Sequence, residues 1–289
     1  MYHFKDSIMD NPPLYKGKSF KYGDYWFKVF NFGDKESFDR EVEMLAAAKG
    51  CPHIVTMCDY GLLEDVEDGQ SINVFYAIKL EYVKGVTFRE YAESHYTEDE
   101  VIRFFINLMC PFSELLGRGI IHNDIKPDNI IVRESDGEPI VIDLNISKWI
   151  KEDVKDIHTN CSQDFSSLDK NRQEVTVQSD IYSIGCLMKF CMGMNPEGGP
   201  ASFSEEFKAV KTKCTADEPT ARYGSFDEVA EALSCIFKKK EQRQVRKETR
   251  RNRLRVVRSR LPHSTSIITF LIYVASAFFF LLGGYLILK

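Results

Sequence analysis

Ile120 to Lys148 reads I-I-H-N-D-I-K-P-D-N-I-I-V-R-E-S-D-G-E-P-I-V-I-D-L-N-I-S-K, and the chain on either side makes sense as its support. Two apolar runs, Ile130–Val132 and Ile140–Ile142, flank Glu134-Ser135-Asp136-Gly137. Asp-Gly between β-prone runs signals a hairpin. The hairpin folds the chain back, so Asn129, just before its first strand, comes near Asp143, just after its second. An oxygen-bearing pair at one hairpin mouth suits a hard cation such as Mg²⁺. Asp124 sits five residues before Asn129, close enough to share the site. Lys126 lies between them, a point charge suited to phosphate. A carboxylate free of metal, a lysine, and an Asn with an Asp for metal are the parts that phosphoryl transfer needs.

The run from His122 to Asn129, H-N-D-I-K-P-D-N, resembles the catalytic loop of the protein kinase family, H-R-D-L-K-P-E-N, and Asp143-Leu144-Asn145 resembles its D-F-G. The resemblance implies an α+β, bilobal protein-kinase-like fold: a small β-rich lobe with one helix, and a larger helical lobe. It also implies ATP and Mg²⁺ as cofactors and a protein as substrate. Asp124 and Lys126 are then catalytic, Asn129 and Asp143 hold metal, and His122 supports the loop. Lys126 followed by Pro127 favours Ser/Thr over Tyr as the acceptor. Asn123 stands where many kinases carry an arginine that pairs with a phosphorylated activation loop, so activity is expected not to depend on that pairing. Asn145 stands where the family has glycine, a mild exchange because Asn tolerates positive φ.

Upstream, Ser19–Tyr22 and Tyr25–Phe30 are aromatic and β-prone around a Gly23-Asp24 turn. The second run resembles the family's V-A-I-K strand, which makes Lys28 the residue that grips the nucleotide phosphates. From Lys35 the pattern turns helical, with Phe38, Val42, Leu45 and Ala46 predicted to share a face. Arg40-Glu41-Val42-Glu43-Met44-Leu45 resembles the family's one small-lobe helix, with Glu41 as the ion-pair partner of Lys28. Glu43 points about 200° around the helix from Glu41 and is the poorer choice. Cys51–Val55 resembles the turn that follows this helix, Glu64–Gln70 reads as an acidic loop, and Val74–Tyr82 as a strand. Leu80-Glu81-Tyr82-Val83 resembles the hinge, with backbone groups of Glu81 and Val83 holding the adenine and Leu80 guarding the back. The family's glycine-rich loop has no counterpart before Lys28, where only Gly17 and Gly23 occur. Amide cradles for phosphate need such small residues.

Downstream, Thr97-Glu98-Asp99-Glu100 reads as a capping box opening a helix that ends at Gly117-Arg118-Gly119, with Pro111 predicting a kink or break. Ser147–Gln178 is polar and irregular, as an activation segment should be. Within it, Cys161–Asp169 matches the family's pattern weakly, with Ser162 and Asp169 in the threonine and glutamate places. Ser179-Asp180-Ile181-Tyr182-Ser183-Ile184-Gly185 resembles S-D-V-Y-S-L-G, where the aspartate braces the catalytic-loop backbone. Asp180 is also a helix N-cap candidate. Cys214–Tyr223 resembles the family's closing motif, which makes Arg222 the buried partner of Asp169. The last helix is expected over Phe226–Ile236.

Charge is segregated along the 289 residues, whose net charge is -5. Lys238–Arg260 holds 12 Lys/Arg and two Glu, leaving 25 basic against 41 acidic residues in 1–237, a net of -16. Residues 261–288 carry no Lys, Arg, Asp or Glu. Ile267–Leu288, as a helix, would span about 33 Å, close to the bilayer core of roughly 30 Å. The basic excess lies on its N-terminal side, so the body is expected to face the cytoplasm, with Lys238–Arg260 on anionic lipid headgroups. A basic run that abuts an apolar span points to lipid rather than to nucleic acid. The N-terminus has no signal-peptide pattern. The eight cysteines show no framework spacing and read as reduced, buried thiols, with Cys110, Cys186, Cys191 and Cys235 in apolar runs.

The expected order is a small lobe over 1–83, a large lobe over 84–237, a basic juxtamembrane segment over 238–266 and a transmembrane helix over 267–288. The leading function is a membrane-anchored protein kinase acting on Ser/Thr hydroxyls. The missing glycine loop leaves a pseudokinase that signals by binding as the rival. A small-molecule kinase is a further rival, which Lys126 argues against.

Overall fold

Aromatic residues at two-residue spacing build the first hairpin, β1 (Phe20–Tyr22) and β2 (Tyr25–Asn31), paired from Phe20↔Phe27 to Tyr22↔Tyr25. The computed structural model describes residues 19–67, 70–94, 96–150, 176–195 and 199–260. Phe27 on one phase of β2 buries with Leu63 and Ala77 beneath the outer face of the sheet. Trp26, Lys28 and Phe30 occupy the other phase.

The sheet is antiparallel in the order β1-β2-β4-β3, with β3 at Met57–Glu67 and β4 at Gln70–Glu81. Glu64–Gln70, expected as a loop, is therefore largely strand. Ladder pairs run from Glu64↔Val74 out to Glu67↔Gln70, with a register shift between Asp65 and Val66. Helix α1 (Lys35–Ala47) packs on this sheet through Phe38, Glu41, Met44 and Leu45. The expected face was rotated by about one position: Ala46 is exposed and Glu41 is buried instead. An ion pair inside the cleft pulls the carboxylate inward, which an apolar pattern cannot foresee.

The larger lobe begins with β5 (Gly85–Thr87) and the short α2 (Phe88–Ala92), capped by Thr87 and Glu90. Helix α3 (Glu98–Gly117) has the Thr97/Glu100 capping box. It runs unbroken through Pro111, so of the kink or break expected there the break does not occur. Eight apolar side chains from Val101 to Leu115 bury along α3. At about 1.5–3 kcal/mol each, their burial outweighs the roughly 3 kcal/mol that an interior proline costs.

Strand β6 (Ile120–Ile121) leads to a 3-10 turn at Pro127–Asn129, then to β7 (Ile130–Arg133) and β8 (Pro139–Val141). The hairpin forms as the Asp-Gly signal predicts, with Gly137 at φ 73°. Strand β9 (Lys148–Trp149) pairs back on β6. Helices α4 (Val177–Met194), α5 (Glu205–Cys214) and α6 (Phe226–Arg260) complete the described order. At Gly185 a Cβ would lie 2.5 Å from Thr215 Cγ2 and 2.7 Å from Cys214 Cβ, so α4 and α5 pack as closely as glycine allows.

The N-cap of α4 is Thr176, in a capping box with Ser179. Asp180 thus sits inside the first turn rather than at the cap. Of the cysteines expected inside, Cys191 is buried and Cys186 is half-buried, but Cys110 and Cys235 lie on outward faces of α3 and α6. All seven described cysteines are free.

The chain divides into two compact units, Met1–Phe237 and Lys238–Lys289. In the first, α6 buries Phe226, Val229, Leu233 and Ile236. In the second, side chains from Glu241 to Arg253 are all exposed. Among the described residues no helix is long and apolar enough to cross a membrane. The expected span 267–288 lies outside the described residues, as do Gly17, Ser162 and Asp169.

Candidate active site

A cleft of about 390 Å³ opens between the sheet of the small lobe and the β7–β8 hairpin. Trp26 and Lys28 reach it from β2, and Leu80, Glu81, Tyr82 and Val83 from the end of β4 and the segment that follows. Asn129, Ile131, Ile142 and Asp143 reach it from the hairpin. The lobes are tied across its back by Val55 N–H to Val141 O at 2.9 Å and Val141 N–H to His53 O at 2.8 Å. The linker is held in turn, since Glu81 N–H donates to Thr56 O at 3.0 Å and its Oε1 accepts from Thr56 N–H at 2.8 Å. Tyr82 N–H donates to Asp24 O at 3.0 Å, and Leu80 is buried behind them.

Lys28 joins two carboxylates. Its Nζ lies 2.8 Å from Oε1 and 2.7 Å from Oε2 of Glu41, and 2.9 Å from Oδ1 of Asp143. Burial pulls the lysine pKa down, but the two carboxylates together outweigh it and hold the ammonium above its ordinary value. Burial pushes Asp143 up, yet Lys28 and the Asn145 N–H outweigh it and the pKa falls below the usual range. Glu41 is 0% exposed. There burial is the largest influence, Lys28 opposes it and Asp143 adds to it, and the pKa is pushed up to about 7. The site therefore holds one firm cation, one firm anion and one carboxyl that titrates near neutrality.

A second group forms at the hairpin mouth. Lys126 Nζ is 2.5 Å from Asp124 Oδ2, and Asn129 Nδ2 donates to the same oxygen at 2.9 Å and to Asp124 O at 3.0 Å. Ile142 N–H donates to Asn129 O at 3.1 Å, which holds the two ends of the hairpin together. With its amide nitrogen committed to Asp124, Asn129 keeps Oδ1 as its remaining acceptor. That oxygen and the Asp143 carboxylate are hard donors, and Mg²⁺ uses one or two such protein ligands beside water and phosphate oxygens. The residues present fit that ion. Among the described residues no cluster of three or more His, Cys, Asp or Glu offers a fuller cage.

The loop carrying Asp124 is anchored from below. Asp180 accepts from His122 N–H at 2.8 Å and from Asn123 N–H at 2.9 Å. His122 Nδ1 accepts from Asp124 N–H at 3.2 Å, and its ring meets Phe112 edge-on. Asn123, at φ 67°, donates from Nδ2 to Ile146 O at 3.0 Å. Its side chain thus ties the loop to the segment after Asp143.

Arg222 is buried away from the cleft. It donates to the carbonyls of Ala216 at 2.8 Å, Gln178 at 3.0 Å and Asp217 at 3.2 Å, and stacks over Tyr182. Its expected partner Asp169 lies outside the described residues.

Three residues with a bearing on the site escaped the sequence reading. Trp26 faces the cleft, and its two-residue spacing from Lys28 would have placed it there. Trp149 Nε1 donates to Glu43 Oε1 at 2.9 Å, and Arg118 Nη1 donates to Ala47 O at 2.7 Å and Lys49 O at 2.9 Å. Both hold α1 from the larger lobe, and no local pattern announces such long-range bonds.

A family model described as a protein kinase domain matches residues 28–244. The chain is 35% identical over 118 residues to the probable serine/threonine-protein kinase samkA of Dictyostelium discoideum, covering 39% of this chain and 18% of that protein. It is 30% identical over 178 residues to the probable serine/threonine-protein kinase PknB of Lactococcus lactis, covering 59% and 26%. It is 28% identical over 243 residues to the serine/threonine-protein kinase PknB of Mycobacterium tuberculosis, covering 80% and 37%. The matched part thus spans well under half the length of each of these relatives.

Proposed function

The chain belongs to the protein kinase family, a family of ATP-dependent phosphotransferases, and on that premise we propose that it transfers the γ-phosphoryl group of ATP to Ser/Thr hydroxyls of a protein substrate. The observation that carries the reading is the Lys28 ammonium bridging Glu41 and Asp143 at 2.7–2.9 Å in the cleft. A cation held at that point by two carboxylates is positioned for the α- and β-phosphates.

The base would lie against Leu80, with backbone groups of Glu81 and Val83 along its edge. Mg²⁺, when held by Asn129 and Asp143, supplies charge neutralisation at the phosphate oxygens. Asp124 accepts both side-chain hydrogen bonds on Oδ2, which leaves Oδ1 to orient the acceptor hydroxyl. The hydroxyl oxygen bonds to the γ-phosphorus as the bond to the β,γ-bridging oxygen breaks, the proton passes to Asp124, and ADP leaves. Lys126, at hydrogen-bond distance from Asp124, stabilises the charge on the phosphoryl group in flight. Asp180 and His122 keep the loop in the conformation that aims Asp124. Arg222 braces the segment before α6 through the carbonyls of Ala216 and Asp217.

Residues 238–260 and 267–288 support a second element of the proposal: a single-pass anchor with the kinase domain on the cytoplasmic side. Twelve basic residues precede a run of 22 without charge. Each Lys or Arg near an anionic surface adds about 1 kcal/mol of attraction.

The test of transfer is incubation of the full chain with γ-labelled ATP, Mg²⁺ and a generic acceptor protein. Label on serine or threonine supports the proposal. Nucleotide binding without label on self or acceptor would favour the binding-only reading, which the scarcity of glycine before Lys28 motivates. For the anchor, the full chain should stay with membranes through alkaline carbonate washing. Release into the wash would remove that part of the proposal.

A further inference from the structure

We propose that Trp26 forms the roof of the base-binding slot and selects purine nucleotides by stacking, an inference that rests on the nucleotide-binding reading above. Residues two apart on a strand share a face, so Trp26 presents its side chain to the same side as Lys28. It pairs across the sheet with Leu80, the buried residue at the back of the cleft. The opposite wall is aliphatic, from Ile131 and Ile142 on the hairpin. Phe27, on the other phase, is 0% exposed, whereas Trp26 is 38% exposed, so the indole is an open surface and not part of the core. About 390 Å³ of cleft remains with the indole in place. The indole thus lines the cleft together with branched aliphatic side chains from the hairpin, the chain from Glu81 to Val83 and the Lys28–Asp143 pair.

Such a slot favours a broad π-face over a small one. Stacking of a base on an aromatic side chain is sequence-tolerant, and it strengthens with ring area. ATP and GTP should therefore bind more tightly than CTP and UTP. Trp26 also offsets the scarcity of glycine before Lys28: a larger share of nucleotide affinity comes from the base and a smaller share from amides around the phosphates.

The test measures binding of Mg²⁺–ATP and Mg²⁺–UTP to the full chain by calorimetry, in wild type, Trp26→Phe and Trp26→Ala. Because the side chain is open to the cleft, both variants should fold, which circular dichroism checks. Stacking losses on alanine substitution correspond to a fall in ATP affinity of about 5- to 150-fold. Trp26→Phe should lose less, and the ATP-over-UTP preference should shrink in Trp26→Ala. ATP should also quench indole emission in the wild type more than in Trp26→Phe, where Trp149 alone reports.

Trp26→Ala binding ATP as tightly as wild type, or more tightly, would overturn the proposal and make the indole a bystander or a plug. ATP binding by Trp26→Ala but not by wild type would do the same while leaving the nucleotide reading intact. No nucleotide binding by any of the three proteins would overturn both.

Discussion

Replacing Lys28 with methionine should destabilise the protein in a way that depends on pH. The change removes the cation facing Glu41, a carboxyl with 0% side-chain exposure, and leaves Asp143 nearby. Breaking a buried pair by deleting one partner costs about 3–5 kcal/mol when the other stays charged. Glu41 can escape that cost by binding a proton. Its folded pKa of about 7 already lies above its ordinary value of 4.5, and the loss of Lys28 removes the strongest influence holding it down. A carboxyl with a raised folded pKa contributes stability that is fully present below its unfolded pKa and is lost as pH rises through the folded one.

In the wild type that window closes near pH 7, and in Lys28→Met it extends upward. Each further pH unit then costs up to about 1.4 kcal/mol, so the gap between the two proteins should widen by about 2 kcal/mol from pH 7 to pH 8.5. Urea unfolding of the full chain, followed by tryptophan emission at pH 6, 7 and 8.5, measures the gap. Adding Glu41→Gln to the variant should remove the widening and restore stability at pH 8.5. A gap that does not change with pH, or a double variant no more stable than the single one at pH 8.5, would refute the reasoning.

Phosphoryl transfer should fall as pH drops through about 7, because protonated Glu41 no longer pairs with Lys28; the kcat/KM profile of Glu41→Gln should lack that acid limb. Asp180→Ala leaves the His122 and Asn123 amides without their acceptor, at about 1–3 kcal/mol for each buried group left unpaired; a thermal midpoint within 1–2 °C of wild type would contradict it. Gly185→Ala forces α4 and α5 apart and should cost about 1–3 kcal/mol by urea unfolding. Arg118→Ala with Trp149→Phe frees α1 from the larger lobe, so the α1 amides should exchange faster with solvent and ATP affinity should fall about tenfold, at roughly 0.5–1.5 kcal/mol for each hydrogen bond lost.

The hairpin that builds the site was legible because its signals are local. Asp136-Gly137 fixes the turn, the flanking isoleucines and valines fix the strands, and the residues at the two ends must then meet. The capping box at Thr97 was legible for the same reason. The Lys28–Glu41 pair came from resemblance, since nothing in a lysine on an aromatic strand says which glutamate it meets. What was misread depends on distant parts. The absence of a break in α3 at Pro111 follows from a core assembled from many segments. The strand character of Glu64–Glu67 follows from pairing with β4 rather than from its own acidic composition. Asp180 looked like a cap by its position before an apolar run, but its carboxylate is spent on the loop of His122 and Asn123 while Thr176 caps the helix.

The most direct test of phosphoryl transfer in this cleft compares the full chain with its Asp124→Asn variant, measuring Mg²⁺–ATP affinity and the rate of label transfer from γ-labelled ATP on the same preparations. On this account Asp124 would orient and deprotonate the acceptor without gripping the nucleotide. The variant should therefore bind ATP within about threefold of wild type and transfer label about 10²- to 10⁴-fold more slowly. Transfer at the wild-type rate would contradict the account.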